Sequence, residues 1–167
     1  MGLIDFMKSA GEKLFGTGPA KAAMAEAAAA PQDEAKIKAA NDAAADAILA
    51  YIKSQNLAAT GLTVTFDGAS AVASVFGVAP DQATREKIVL CCGNVAGVAA
   101  VKDMMSVDQS APEAQYHTVV SGDNLSKISK MHYGDPNKYT VIFEANKPML
   151  KHPDKIYPGQ MLRIPLP

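Results

Sequence analysis

Hydrophobic positions recur at helical spacing near the start of the chain. Apolar side chains stand there three or four residues apart, at Leu3, Phe6, Met7, Ala10 and Leu14. Residues with this spacing share one side of a helix, and polar residues fill the other side. The pattern predicts an amphipathic helix over residues 1–16, for which docking against another part of the protein is the simplest role.

An alanine-rich stretch follows over residues 17–43 and is interrupted at Pro31. Alanine favours helix strongly, but its methyl group buries little apolar area. The stretch therefore predicts either two weak helical pieces that flank Pro31 or a semi-ordered linker.

Residues 44–109 begin with a helical pattern and then alternate between apolar and polar positions. The helix carries Ile48, Leu49 and Ile52 on one side. Two strands follow, and the Asp67-Gly68 pair predicts a hairpin turn between them. The alternation places five residues on the buried face, namely Leu62, Val64, Phe66, Val72 and Phe76.

A second helix and a last strand complete this segment. Asp81 is expected to cap the helix, and Gly93-Asn94 to end it in a left-handed turn. The strand falls within residues 98–107. The segment thus predicts a small domain of order α-β-β-α-β.

Residues 115–167 predict a second small domain of order β-α-α-β. Asp123 is expected to cap a helix whose inward side chains are Leu125, Ile128 and Met131. Asp135-Pro136 restarts a helix, and Asn146 is its predicted left-handed stop. Together the patterns predict an α+β protein of two small domains, preceded by an N-terminal helix and the alanine-rich segment.

Composition and charge narrow the classes of partner. The formal net charge is −1, with 16 basic and 17 acidic residues interspersed, which gives no electrostatic reason to expect nucleic acid or an anionic membrane. Charged residues interrupt the first sixteen positions, so we expect no secretory signal, and we expect no membrane-spanning helix. The two cysteines are adjacent, at Cys91 and Cys92, and are expected to be reduced, one buried and one half-buried. These features favour a cytoplasmic protein, and we expect a monomer.

Motifs for catalysis are missing from the sequence. It contains no nucleotide-binding glycine loop and no Gly-x-Ser-x-Gly, and its three histidines have no metal-ligand spacing with the cysteines. The expectation is a protein that is not an enzyme.

The run from Tyr116 to Pro165, YHTVVSGDNLSKISKMHYGDPNKYTVIFEANKPMLKHPDKIYPGQMLRIP, closely resembles a LysM domain. Such domains bind N-acetylglucosamine polymers in a groove between two loops, and this resemblance implies a glycan groove. Its residues here would be Gly122, Asp123, Asn124, Leu125, Asn146, Lys147, Pro148, Met149, Leu150 and Ile156. The competing interpretation is that the fold needs them as caps and turns whether or not sugar binds. We favour that interpretation, because a cytoplasmic protein does not meet peptidoglycan.

The preceding α-β-β-α-β segment, with GNVAGVAAVKD after its second helix, resembles a BON domain. Preceded by MGLIDFMKSAGEKLFG and followed by LysM, it resembles the bacterial cytoplasmic BON-LysM potassium-binding family. That resemblance implies selective, reversible K⁺ binding with compaction of the two domains, as a sensor or buffer. A peptidoglycan-binding module of the envelope and a BON-mediated lipid or protein adaptor are the alternatives.

The resemblance also implies which groups bind K⁺. They are backbone carbonyls, at Met7, Ala10, Glu12, Gly93, Val95 and Val98. Rings of neutral carbonyl oxygens suit a large monovalent cation, and glycine lets the backbone bend to aim them inward. The competing interpretation is that both stretches are helix ends whose carbonyls are satisfied by water.

Overall fold

The computed structural model describes residues 3–5, 13–16 and 18–167. Within these ranges the first domain contains β1 (Leu3–Asp5), a 3-10 helix (Leu14–Gly16), α1 (Gly18–Ala29), α2 (Glu34–Ser54), β2 (Thr60–Asp67), β3 (Val72–Asp81), α3 (Gln82–Gly93) and β4 (Ala100–Gln109). The second contains β5 (Gln115–Thr118), α4 (Leu125–Tyr133), a 3-10 helix (Pro136–Lys138), α5 (Tyr139–Ala145) and β6 (Met161–Ile164). The predicted α+β class is confirmed. Among the described helices, none is long and apolar enough to cross a bilayer.

The four described strands of the first domain form one sheet in the order β1-β4-β3-β2. Strands β2 and β3 form the predicted hairpin, and Asp67 closes its turn by accepting from the Ala69 N–H and from the Ser70 hydroxyl. Strands β3 and β4 are parallel, because α3 carries the chain back across the sheet between them. This crossover places the end of α3 and the start of β4 on either side of one short loop.

Helices α2 and α3 cover one face of this sheet and form the main core with it. Val64 pairs with Val75 and Phe66 pairs with Ala73, and all four are buried. Cross-strand partners point to the same face of a sheet. The prediction that Val72 and Phe76 face inward is therefore wrong, because both alternate with the buried Ala73 and Val75 along the strand, and Phe76 is 37% exposed.

The alanine-rich segment forms two helices on either side of Pro31, as one of the two interpretations predicted. Asp33 caps α2 by accepting from the Ala35 and Lys36 N–H groups. Ala20 and Ala40 are buried where these helices pack. Helix α2 continues without a break through residue 44, so the alanine-rich segment and the first helix of the predicted domain are one element.

The start of the chain differs from the predicted helix. Leu3–Asp5 form a strand that pairs antiparallel with β4, with Ile4 opposite Val101 and Asp5 opposite Ala100. The helical prediction is wrong for these residues, because the open edge of β4 supplies backbone partners and such pairing overrides a local propensity. Residues 6–12 lie outside the described residues.

The second domain has the predicted β-α-α-β order around its own small core, with buried Ile128, Ile142 and Leu162. Gly134 ends α4 in a left-handed conformation, with φ 72°. Met131, predicted to face inward, is 68% exposed.

Two predicted caps in this domain are wrong. Asn124, and not Asp123, caps α4, because its Oδ1 accepts from the Lys127 N–H at 2.8 Å. Asp123 instead accepts from the Val120 N–H and from the His117 ring. Asn146 ends α5 with φ −105°, which is not left-handed. Its side chain instead forms hydrogen bonds with the Ile142 carbonyl and the Arg163 backbone.

Candidate ion-binding site

The loop between α3 and β4, residues 93–98, is the described half of the predicted ion site. Gly93 is the last residue of α3, and the N–H of Asn94 donates to the Leu90 carbonyl at 2.9 Å. Asn94 has φ −79°, so the predicted left-handed C-cap is wrong. The left-handed turn comes later, at Gly97, where φ is 105°.

Electrostatics at this end of α3 favour a cation. The last carbonyls of a helix have no intrahelical partner, and the helix dipole makes that end negative. No basic residue stands in the last turn of α3. The Gly93 carbonyl thus lies where partial negative charge is not neutralised by the helix's own side chains.

The three predicted ligand residues of this loop are all buried, and their carbonyls differ in whether they accept a hydrogen bond. The Val95 carbonyl accepts from the Val98 N–H at 3.1 Å. Within the described part of the chain, no N–H donates to the carbonyls of Gly93 or Val98. The loop is anchored at its far end, where the Ala99 N–H donates to the Ala71 carbonyl at 2.7 Å.

The predicted ligands Met7, Ala10 and Glu12 lie outside the described residues. The chain on either side of them is positioned beside the loop. Asp5 pairs with Ala100 at the start of β4, two residues beyond Val98. After them, the Phe15 ring packs against Gly97 so closely that a Cβ there would stand 2.7 Å from it.

Phe15 is itself held in place by the first domain. Its ring lies 5.2 Å from that of Phe66, centroid to centroid. The hairpin of α1 and α2 contacts the 3-10 helix that carries Phe15. An apolar groove of about 450 Å³ runs beside it, lined by Phe15, Met24, Ile37, Phe66 and Gly97 among others.

The loop also contacts the second domain. The Asn94 side chain forms two hydrogen bonds with the backbone of Met161, each of 3.1 Å. Met161 is buried against the first domain's core, although it belongs to β6. Asn94 further lines a cleft of about 450 Å³ between the domains.

A buried ion pair lies beside this contact. Glu86 of α3 binds Arg163 of β6, and the side chains are 4% and 11% exposed. Glu86 also accepts from the Gln82 amide and from the Ala114 N–H, both at 2.9 Å. Burial, and then the charge of Glu86, raises the pKa of Tyr116. The domains therefore meet through a desolvated polar junction.

The residues of the predicted glycan groove are largely engaged within the protein. Leu125 and Leu150 are buried, and Met149 packs against the first domain's core. Asn146 is 2% exposed and binds the Ile142 carbonyl and the Arg163 backbone. Asp123 and Asn124 make the turn and cap contacts described above. The exposed or partly exposed remainder consists of Gly122, Lys147, Pro148 and Ile156.

Both thiols are buried, so the prediction that one is half-buried is wrong. Cys91 is 1% and Cys92 0% exposed, and burial raises the pKa of Cys92. In the described ranges, no group of three or more His, Cys, Asp or Glu side chains is arranged to hold a metal ion.

Sequence reasoning missed the residues that join the domains, namely Glu86, Asn94 and Arg163, and it missed Phe15, which packs against the ion loop. Asn94 was read only as the end of a helix. Glu86 stands between Arg85 and Lys87 in the sequence, so it resembles an ordinary exposed helix residue and nothing nearby marks it as a buried charge. Its partner lies 77 positions away, so no local pattern could identify it.

Comparisons with known proteins agree with these two domains. A model of the BON domain matches residues 40–109, and a model of the LysM domain matches residues 117–165. The potassium binding protein Kbp of Escherichia coli O6:H1 is 42% identical over 169 residues, which cover 99% of each chain. An uncharacterized protein of Deinococcus radiodurans is 49% identical over 49 residues, 29% of this chain and 19% of its own. The chain therefore belongs to the family of BON-LysM proteins that includes the potassium binding protein Kbp.

Proposed function

We propose that this chain is a cytoplasmic K⁺-binding protein, a potassium sensor or buffer rather than a catalyst. Its proposed ligands are the carbonyls of Gly93, Val95 and Val98, together with those of Met7, Ala10 and Glu12. The observation that carries the proposal is the loop at the end of α3. It presents buried carbonyls at the negative end of a helix, and the chain on both sides of residues 6–12 is anchored beside it.

The chemistry of this loop suits K⁺ better than a divalent ion. Carbonyl oxygens replace the hydration shell of K⁺ without adding formal charge, whereas Ca²⁺ is commonly bound through carboxylates. The helix dipole adds about 0.3–1 kcal/mol for a cation near the end of α3.

We propose that ion binding closes the domains at 44–109 and 115–167 against each other. Asn94 supports this mechanism, since it lies between two proposed ligands and binds the second domain through its side chain. The relative from Escherichia coli is itself named a potassium binding protein.

A thermal melt in KCl against NaCl at equal ionic strength tests the proposal. A site filled at a hundred times its Kd adds about 2.7 kcal/mol to the free energy of unfolding. For a protein of this size that is a rise in Tm of about 5–11 °C. Equal Tm values in the two salts at saturating concentrations would contradict the proposal.

Binding of peptidoglycan through the LysM domain is the second candidate. The burial of Leu125, Asn146 and Leu150 speaks against an open groove formed by those side chains. Retention on purified sacculi, lost on Lys147→Ala at the exposed rim, would support the glycan function instead.

A further inference from the structure

Strand β6 has one edge that β5 does not cover. In an antiparallel pair, alternate residues direct their N–H and C=O groups toward the partner strand. Val119, which follows β5, donates to the Gln160 carbonyl, so the backbone groups of Met161 and Arg163 point away from β5. Unpaired strand edges need other partners when they are buried.

Two asparagine side chains pair with this edge as a third strand would. The Asn94 carboxamide donates to the Met161 carbonyl and accepts from the Met161 N–H. The Asn146 carboxamide does the same at Arg163, with both bonds at 2.8 Å. The two contacts are equivalent in chemistry, but Asn146 belongs to the second domain and Asn94 to the first.

The position of Asn94 in the chain gives its contact a further consequence. Its Cα joins the peptide units that carry the Gly93 carbonyl and the Val95 N–H, and peptide units are planar and rigid. Turning the Gly93 carbonyl toward an ion therefore reorients the Asn94 side chain, because that carbonyl belongs to the peptide unit bonded to the Asn94 Cα. Its reach to Met161 depends on that orientation, because both hydrogen bonds need the carboxamide in line with the strand.

We propose that Asn94 is the positioning residue that couples occupancy of the K⁺ site to docking of β6. The inference rests on the proposed K⁺ function and deepens it. K⁺ fixes the backbone around Asn94, and this strengthens the pair of hydrogen bonds to Met161. Coupling is reciprocal, so the loss of these bonds weakens K⁺ binding by the factor by which K⁺ strengthens them.

Amide hydrogen exchange of the full chain tests the coupling, with an internal control. The Met161 N–H donates to Asn94, and the Arg163 N–H donates to Asn146. We expect K⁺, compared with Na⁺ at equal ionic strength, to slow exchange at Met161 by about 5–150-fold, the usual range of such couplings. Exchange at Arg163 should change distinctly less, since its partner does not move with the ion loop.

Two matched variants separate coupling from general stability. Asn94→Ala should weaken K⁺ binding by about 5-fold or more. Asn146→Ala removes the equivalent pair of bonds at Arg163, together with the bond to the Ile142 carbonyl, but should leave the K⁺ affinity unchanged. Asn94→Ala with the wild-type K⁺ affinity would overturn the coupling.

The exchange experiment on the unmodified chain decides the matter even where a variant does not fold. If K⁺ raises Tm but slows Met161 and Arg163 equally, the coupling through Asn94 is wrong and the K⁺ function stands. If K⁺ affects neither Tm nor exchange, both the function and the coupling are wrong.

Discussion

Replacing Gly97 with alanine perturbs the ion loop at its most constrained point. Gly97 has φ 105°, a conformation that side chains rarely adopt. A Cβ at this position would stand 2.7 and 2.9 Å from two carbons of the Phe15 ring. The ring cannot simply turn away, because Phe66 packs against it. Gly97→Ala must therefore strain the loop, displace Phe15, or both.

The cost can be separated into two parts with a control in the second domain. Gly122 has φ 89°, and nothing lies within 4 Å of a Cβ there, so Gly122→Ala measures backbone strain alone. That strain is about 1–3 kcal/mol at either position. The clash with Phe15 adds about 1–3 kcal/mol, as overpacking does. Gly97→Ala should therefore lower Tm by about 2–12 °C more than Gly122→Ala does.

The decisive readout is the response of each variant to K⁺. We expect Gly122→Ala to keep the full rise in Tm between NaCl and KCl, measured by circular dichroism. Gly97→Ala should lose most of it, because Phe15 can no longer pack against the loop as it does now. A Gly97→Ala protein with an undiminished K⁺ response would refute the assignment of the site to this loop.

Two further predictions concern the junction and the second domain. Arg163→Met leaves Glu86 buried without its cation and should lower the free energy of unfolding in urea by about 3–5 kcal/mol. Lys147→Met, which removes an exposed ion pair, should lower it by about 1 kcal/mol or less. Equal losses in the two variants would show that the Glu86 pair is not buried in solution. The hydrogen bond from His117, and then that from the Val120 N–H, lower the pKa of Asp123 below its ordinary value of 3.8. The ionised Asp123 therefore makes its full contribution to the free energy of unfolding above pH 3.8, and this contribution is lost as the pH falls through the folded-state pKa. Asp123→Asn should make the fall in Tm between pH 5 and pH 3 smaller. The same fall in Tm in the variant and the wild type would contradict a stabilising role for the Asp123 carboxylate.

Much of the fold was predictable from local patterns. The turn at Asp67-Gly68 and the cap at Asp81 each depend on a few adjacent residues, and the structure has them as predicted. The errors arose where a distant partner decides the outcome. The edge of β4 converts Leu3–Asp5 into a strand, and the pairing with β2 sets which face Phe76 occupies.

The candidate site was predictable only in part, for the same reason. Ligation by backbone carbonyls leaves no side-chain pattern, so the residues alone could not locate it, and the resemblance to a family supplied the positions. The contact from Asn94 to Met161 spans 67 positions in the chain. In the sequence, Asn94 resembles an ordinary residue at a helix end. Only the folded structure shows that the edge of β6 lies beside it.

The carbonyl ¹³C chemical shifts of the backbone, recorded in NaCl and then during titration with KCl, test the proposed ligation most directly. Carbonyls that bind the ion should show the largest saturable changes, at Gly93, Val95 and Val98 and at Met7, Ala10 and Glu12. Carbonyls at the exposed rim of the second domain, such as Gly122 and Lys147, should change little. Shifts that are absent, or that are equal in NaCl and KCl, would contradict a K⁺ site at the end of α3.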